Sequence, residues 1–192
     1  MESETTETII RATGRTLCEY GYADLTMQRI AEASSVTTAA IHYHFDTKEE
    51  LLDAFLDDLV DRFERQVDCE AADPRDRLAG FLDAVFDSEA DDEFPVALME
   101  LKAQAPYHDT YRERFRELDD VLRGVVEATV DDGIEAGRFA AVDAAEVART
   151  VSTMINGGHV RMVALGEDPE ETRQVVETYL ETQLGWRPEA TA

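Results

Sequence analysis

The segment from Thr26 to Leu52, TMQRIAEASSVTTAAIHYHFDTKEELL, contains the side chains whose types and spacing best indicate a chemistry. Hydroxyl, methyl, imidazole and phenol groups recur there at positions i, i+1, i+4 and i+5, on Thr38, Ala39, His42 and Tyr43. Residues with this spacing share one face of an α-helix. Donors, acceptors and a methyl group on one face suit base edges and phosphates, so the segment predicts recognition of DNA by a helix.

An enzyme is the interpretation from a different functional class, and the sequence gives it little support. The four histidines are His42, His44, His108 and His159, and neither H-E-x-x-H nor C-x-x-C occurs. His42 and His44, two apart on a helix, point in different directions and form a poor metal pair. His108 and Asp109 follow Pro106 and are typical of a helix start rather than of a catalytic dyad. No serine or cysteine stands in a nucleophile-elbow context, so we predict no enzymatic activity, no cofactor and no metal.

Two helices must precede the DNA-contacting one. Helix one is predicted from Ser3 to Tyr20, with Gly21 as its stop and with Ile9, Thr13, Leu17 and Tyr20 buried. Thr26 can N-cap a second, short helix, whose apolar stripe at i, i+3 and i+4 is Met27, Ile30 and Ala31. Ser34 and Ser35 then interrupt the stripe, which completes the first half of a helix-turn-helix.

The third helix is capped by Thr37, and its Ile41 and Phe45, four apart, share a face that turns inward. The opposite face is the polar one described above. Thr47 followed by Glu50 is a capping box that opens a long amphipathic helix, so Lys48 lies in the first turn of that helix.

These residues resemble the TetR family of transcriptional regulators, whose N-terminal domain has an apolar helix, T-x-x-x-I-A, V-S-x-G-x-[LI]-Y-x-[YH]-F and K-E-x-L in order. The positions that fit without a gap are Thr26, Ile30, Ala31, Val36, Thr37, Ile41, His44, Phe45, Lys48, Glu49 and Leu51. Ala39 stands where the family often has Gly, and His42 where it usually has a Tyr that contacts the DNA backbone. Either His42 or the neighbouring Tyr43 could make that contact here.

The resemblance implies a division of roles. Base edges would be contacted by Gln28, Thr38, Ala39 and Tyr43, and a glutamine can bond adenine through two hydrogen bonds. Phosphates would be bound by Thr26, Thr37, His42, His44 and Lys48, which set the register on the duplex. Thr26 and Thr37 are caps in any case, and His44 could instead be a core histidine. Lys48 at a helix start is unfavourable to the helix dipole, which favours a phosphate role.

The chain is strongly acidic, with 43 acidic against 18 basic residues and a formal charge of -25. Residues 1–48 hold seven acidic and four basic side chains, so most of the negative charge lies beyond them. A lysine-poor acidic surface on a chain with 44% hydrophobic residues resembles proteins that work in molar salt, where repulsion is screened. We interpret it as a solvated face, with an acidic interaction surface as the alternative. Affinity for DNA must then come from hydrogen bonds, apolar contact and dimeric geometry rather than from counterion release.

Helical periodicity without an alternating β-branched run predicts an all-α fold. We divide it into a helix-turn-helix domain (1–48), a linking helix from about 48 to 70, and a larger helical ligand-binding and dimerisation domain (71–192). Helices are expected to open at Asp73, Asp143 and Asp168, and 88–93 is expected to be a loop. The N-terminus lacks an apolar core of signal-peptide length, so we expect a cytoplasmic protein with no membrane partner. Cys18 and Cys69 are expected to be thiols rather than a disulfide.

The last two helices resemble the pair through which TetR-family members form a four-helix dimer interface. One side of the first of them carries Val151, Met154, Ile155, Gly158 and Met162, and the Gly157–Gly158 pair would admit another helix closely. Packing within the chain is the alternative that spacing alone leaves open. The resemblance favours a homodimer, and for a twofold dimer we expect a double-stranded operator that is a palindrome or near-palindrome.

The resemblance also implies a small-molecule pocket in the C-terminal domain. Candidate lining residues are Phe81, Val85, Phe94, Leu98, Met99, Tyr111, Phe115, Met154 and His159, which suit a mostly apolar effector, although such residues are also typical of plain core. We therefore predict a salt-adapted, ligand-responsive repressor that binds DNA as a homodimer. The alternative is a helical small-molecule-binding or protein-interaction module that has lost DNA binding, which the His42 substitution and the acidic balance would favour.

Overall fold

A computed structural model describes residues 2–68, 71–86 and 94–186 of the chain. Over these residues it has nine helices and no strand: α1 (Glu2–Asp24), α2 (Met27–Ser34), α3 (Thr38–His44), α4 (Lys48–Val67), α5 (Pro74–Phe86), α6 (Phe94–Gln104), α7 (Asp109–Glu135), α8 (Ala144–Leu165) and α9 (Pro169–Leu184). The predicted all-α fold is confirmed. Cys69, residue 70 and the predicted loop at 88–93 lie outside the described residues.

Polar side chains start the helices where the sequence predicts. Asp143 and Asp168 cap α8 and α9, each accepting a hydrogen bond from a first-turn N–H. The backbone N–H of Glu50 donates to Thr47 Oγ1 at 3.1 Å, and Glu50 Oε2 accepts from the Asp46 N–H at 2.8 Å. The junction between α3 and α4 is therefore fixed by reciprocal bonds.

The chain divides into two compact units, and the boundaries between them differ from those predicted from the sequence. Unit 1 contains residues 1–62 and 90–116, and unit 2 contains residues 63–89 and 117–192. The boundary predicted at residue 48 follows the helix-turn-helix motif. Because α6 packs against α1, it belongs with the N-terminal helices although it is distant from them in sequence.

In unit 1, α1 packs against α2 and α6, and the core also contains side chains of α3 and α4. Its fully buried side chains include Ile9, Leu17, Leu25, Ile30, Ile41, Leu51 and Leu52. The expectation that Tyr20 is buried is wrong: its side chain is 42% exposed and lies under the guanidinium of Arg29, 4.1 Å from the ring centroid.

In unit 2, α9 packs against both α5 and α8. The core contains Leu78, Phe81, Leu82, Val126, Val130, Ala148, Val151, Val176, Leu180 and Trp186. Trp186 Nε1 donates to the carbonyl oxygen of Arg75 at 3.2 Å, so the buried indole has a partner.

The predicted role of Gly158 in a contact with a second subunit needs correction. A Cβ on Gly158 would lie 2.3 Å from Thr172 Cγ2, so this glycine admits α9 of the same chain. Val151 on the same side of α8 is fully buried in the core of unit 2. Gly157, in contrast, is exposed and has no heavy atom within 4 Å of the position of an added Cβ.

Gly133 shows the tightest packing at a glycine in α7. A Cβ at this position would lie 2.0 Å from Phe139 Cδ2, and Phe139 is a buried core residue whose N–H donates to the Gly133 carbonyl. The buried Phe139 ring therefore occupies space that is available only because residue 133 has no Cβ.

We predict that Gly133→Ala destabilises the protein by about 1–3 kcal/mol, because the added methyl must displace the Phe139 ring. The control is Gly124→Ala in the same helix, where an added Cβ meets open space and helix propensity should add about 0.5–1 kcal/mol of stability. Urea unfolding in molar salt measures both. Equal effects of the two substitutions would contradict this packing.

Candidate nucleic-acid interface

The recognition face, defined as Thr38, Ala39, His42 and Tyr43, lies at the surface of α3. Tyr43 is 76% exposed, Ala39 and His42 are exposed, and Thr38 is half-buried. On the opposite side, Ile41 is fully buried and Phe45 nearly so. The structure thus brings the predicted base-contacting residues of α3 together on an accessible surface.

The hydroxyl groups of Thr26 and Thr37 combine a capping role with availability to a ligand. Thr26 Oγ1 accepts from the Arg29 N–H at 3.3 Å, and Thr37 Oγ1 accepts from the Ala40 N–H at 3.2 Å. Both residues are exposed. Since a hydroxyl can accept and donate at once, each cap retains an O–H that can donate to a phosphate oxygen.

His44 is half-buried at the end of α3. Its ring meets that of Tyr43 edge-on, with 5.1 Å between centroids, and lies 6.4 Å from that of Phe45. The contact with Tyr43 restricts the rotamers of an otherwise exposed phenol, which lowers the entropy lost when that phenol binds a partner. His44 therefore supports the recognition face from its edge.

Gln28 is exposed in the first turn of α2. Its side-chain amide donates to Glu32 Oε1, one turn further along, at 3.2 Å. This bond orients the amide before any ligand is present. It also places a carboxylate next to the group that is predicted to contact a base.

Lys48 is held by the fold more firmly than the sequence indicates. Its Nζ donates to the carbonyl oxygen of Tyr22 at 3.2 Å and lies 4.3 Å from the centroid of the Tyr22 ring. An ammonium has three N–H donors, so one bond to Tyr22 leaves capacity for a phosphate. Tyr22 was missed in the sequence analysis, and the signal that could have found it is the chain reversal at Gly21, directly before it.

The basic side chains of residues 2–48 are all engaged within unit 1. Besides Lys48, Arg11 faces Glu7 at 3.7 Å, Arg15 donates to the Ala33 carbonyl at 3.4 Å, and Arg29 donates to the Asp24 carbonyl at 2.8 Å. Exposed carboxylates on and beside the helix-turn-helix include Glu32, Asp46, Glu49 and Glu50. The interface therefore lacks the basic patch on which nonspecific DNA affinity depends.

The predicted pocket residues are distributed over both units. Phe81, Val85, Met154 and His159 belong to unit 2, whereas Leu98, Met99, Tyr111 and Phe115 belong to unit 1. Phe81 and Tyr111 are fully buried core residues. Phe94 begins α6, but its side chain lies outside the described part of the chain. The assignment of these residues to one pocket remains a prediction.

Among the described residues, no group of histidine, cysteine and carboxylate side chains is arranged to hold a metal ion. The helices of the same residues include none with the length and apolar character needed to cross a membrane.

The two halves of the chain match two family models. Residues 9–55 match the bacterial regulatory proteins of the tetR family, and residues 74–185 match the C-terminal domain of the BetI-type transcriptional repressors. The chain belongs to the tetR family. The resemblance inferred from the helix-turn-helix residues is thereby confirmed, and so, at the level of the family, is a DNA-binding transcriptional regulator. The family is one of regulators, not of enzymes.

Individual relatives agree with this assignment. A TetR transcription regulator from Haloarcula marismortui is 41% identical, with a TM-score of 0.88 over 95% of this chain and 99% of that one. The repressor KstR2 from Rhodococcus jostii is 28% identical over 60% of each chain, and the regulator BetI from Stenotrophomonas maltophilia is 33% identical over 42% of this chain and 43% of its own. The chain thus matches less than two thirds of the length of these two curated relatives. A regulator from Saccharomonospora viridis in complex with choline, 23% identical with a TM-score of 0.84 over 95% of this chain and 98% of its own, shares the fold.

Substitutions at the interface should separate base contacts from phosphate contacts. We predict that Tyr43→Ala or Gln28→Ala lowers discrimination at one half-site position by about 1–3 kcal/mol, whereas Lys48→Ala weakens binding to all sequences equally. Competition binding against single-base operator variants measures both effects. Lys102→Ala, which removes the other lysine of unit 1, is the control and should leave affinity unchanged. If all three interface substitutions gave the same profile, the division of roles would be wrong.

Proposed function

We propose that this tetR-family chain is a ligand-responsive repressor that binds a palindromic operator as a homodimer. The observation that carries the proposal is the exposed recognition face of α3, whose phenol, imidazole and methyl groups point outward while Ile41 anchors the helix in the core. The kinship with the repressor KstR2 supports repression as the sign of regulation. The DNA partner also implies a cytoplasmic site of action.

The dimer contact is proposed to use exposed residues of α8 and α9. On α8, Thr153, Gly157, Val160 and Ala164 follow one another at i, i+4, i+7 and i+11 and are all exposed. Val160 is 48% exposed, and Val175 on α9 is 55% exposed. A strip of small and apolar side chains at helical spacing permits close packing of helices from a second copy.

The effector is proposed to bind in unit 2, where the predicted residues Phe81, Val85 and Met154 belong to or pack against the apolar core. A mostly apolar molecule fits this lining. A quaternary ammonium compound is the alternative. It is favoured by the choline in the Saccharomonospora viridis relative.

Selection of bound duplexes from a random DNA pool in molar potassium chloride tests the proposed function. We expect enrichment of a palindrome whose half-sites lie about one helical turn apart. Because Lys48 is the one lysine or arginine assigned to a phosphate in each subunit, a dimer neutralises about two phosphates in this way, and the slope of log affinity against log salt should be shallower than about -2. The selected duplex then allows choline and apolar compounds to be compared as releasing ligands.

Absence of enrichment across the full range of salt would favour the alternative, a helical binding module without DNA recognition. A palindrome bound with a slope of about -6 or steeper would leave the repressor intact but contradict the electrostatic argument.

The dimer contact has a separate test. We predict that Gly157→Arg converts the dimer to a monomer in sedimentation equilibrium, since the long side chain occupies the space for a second copy. Gly124→Arg on α7 is the matched control, because an added Cβ there also meets open space. It should leave the dimer intact, and it should raise rather than lower the unfolding midpoint, because Arg has a higher helix propensity than Gly. Dissociation by both substitutions, or by neither, would place the contact elsewhere.

A further inference from the structure

Tyr22 bonds to three other segments of unit 1. Its N–H donates to Glu100 Oε2 on α6 at 2.9 Å, and its carbonyl oxygen accepts from Lys48 Nζ on α4 at 3.2 Å. Its hydroxyl forms a hydrogen bond of 3.2 Å with His108 Nε2, directly before α7. The backbone and the side chain of one residue therefore connect the end of α1 with three segments.

The conformation of Gly21 makes this arrangement possible. Its φ of 72° and ψ of 170° interrupt α1 and redirect the chain, so that the next N–H meets the carboxylate of Glu100. A Cβ at Gly21 would lie 3.4 Å from Glu100 Oε2, and a positive φ is unfavourable for residues other than glycine. The turn is thus specified by the residue that precedes Tyr22.

Aromatic side chains pack around the contact between Tyr22 and His108. The ring of His108 stacks on that of Tyr111, with 4.6 Å between centroids, and Tyr111 is fully buried. Burial raises the pKa of both Tyr22 and Tyr111, so both phenols keep their protons near neutral pH. The hydroxyl of Tyr22 consequently remains neutral in its bond with His108.

The segments that Tyr22 connects include both ends of the helix-turn-helix. Helix α2 begins at Met27, shortly after Tyr22, and α3 ends at His44, shortly before Lys48. A residue that bonds to Lys48, Glu100 and His108 therefore holds both ends of the motif against α6 and the start of α7.

We propose that Tyr22 is a positioning residue, whose hydroxyl bond to His108 couples the orientation of α2 and α3 to α6 and the first turn of α7. The proposal deepens the repressor function and rests on it for its DNA-dependent part. The residue acts through other groups and has no assigned contact with DNA.

Hydrogen exchange of the full-length protein tests the coupling without DNA. Tyr22→Phe removes the hydroxyl but keeps the ring beneath Lys48. We expect amide exchange in residues 97–111 to become about three- to tenfold faster, as the loss of one partly buried hydrogen bond predicts, while α9 in unit 2 is unchanged. Tyr107→Phe is the matched control, because its phenol is 81% exposed and adjacent to His108 in sequence.

A double-mutant cycle identifies the bond itself. If the hydroxyl acts through His108, adding His108→Leu to Tyr22→Phe should cause less acceleration than the product of the two single effects. If the two single effects on the exchange rate simply multiplied in the double variant, the hydroxyl would not act through His108. The proposal would also be wrong if Tyr22→Phe left amide exchange in residues 97–111 unchanged.

The DNA-dependent part uses the palindromic duplex from the selection. In the wild type, its binding should slow exchange in 97–111 as well as in α2 and α3. In Tyr22→Phe, α2 and α3 should still be protected by the duplex, but the slowing in 97–111 should be lost. If binding of the duplex still slowed exchange in 97–111 of Tyr22→Phe, the proposal would be wrong. Loss of a tyrosine hydroxyl that only stabilises the fold would lower the free energy of unfolding but would leave this effect of DNA on exchange intact. If no duplex binds the wild type, the proposed repressor function is wrong. The coupling through Tyr22 is then tested by amide exchange of the free protein alone.

Discussion

The recognition face depends on the burial of Ile41. Helix α3 has seven residues, and a helix of this length is not stable alone in water. The cap at Thr37 and the packing of α3 against α2 must therefore supply its stability. With Ile41 fully buried, the rotation of the helix is fixed, and the residues one and two positions beyond it must face outward. Exposure of His42 and Tyr43 is a consequence of this anchor.

The second constraint is the acidity of the chain. With a formal charge of -25, the chain as a whole has a weak or repulsive long-range interaction with a polyanion. Short-range groups must then supply the affinity: hydroxyl donors at the caps, the exposed phenol of Tyr43 and the doubling of contacts in a dimer. Molar salt makes this composition workable, because it screens the repulsion between the protein and the phosphates.

Local chemistry made much of the fold predictable from the sequence. The caps at Thr26, Thr37 and Asp143 and the apolar spacing of α3 involve residues within one or two helical turns, so the sequence contains their signal directly. The contacts of Tyr22 with Glu100 and His108 span 78 and 86 residues, and no local pattern encodes them. The same holds for α6, which joins unit 1 through α1, and for Gly158, whose neighbour is Thr172 of the same chain.

Lys48 illustrates why residue roles in such a domain cannot be assigned one at a time. From the sequence, a cation at a helix start favours a phosphate ligand, because the helix dipole disfavours it there. The structure supplies a compensating partner instead, the Tyr22 carbonyl and ring, so the position is explained without DNA. The two roles are compatible, since an ammonium donates three hydrogen bonds. A phosphate bound to Lys48 would contact the same ammonium that donates to the Tyr22 carbonyl. Because the Tyr22 N–H donates to Glu100 on α6, a contact with the operator at α4 is connected through Tyr22 to the position of α6.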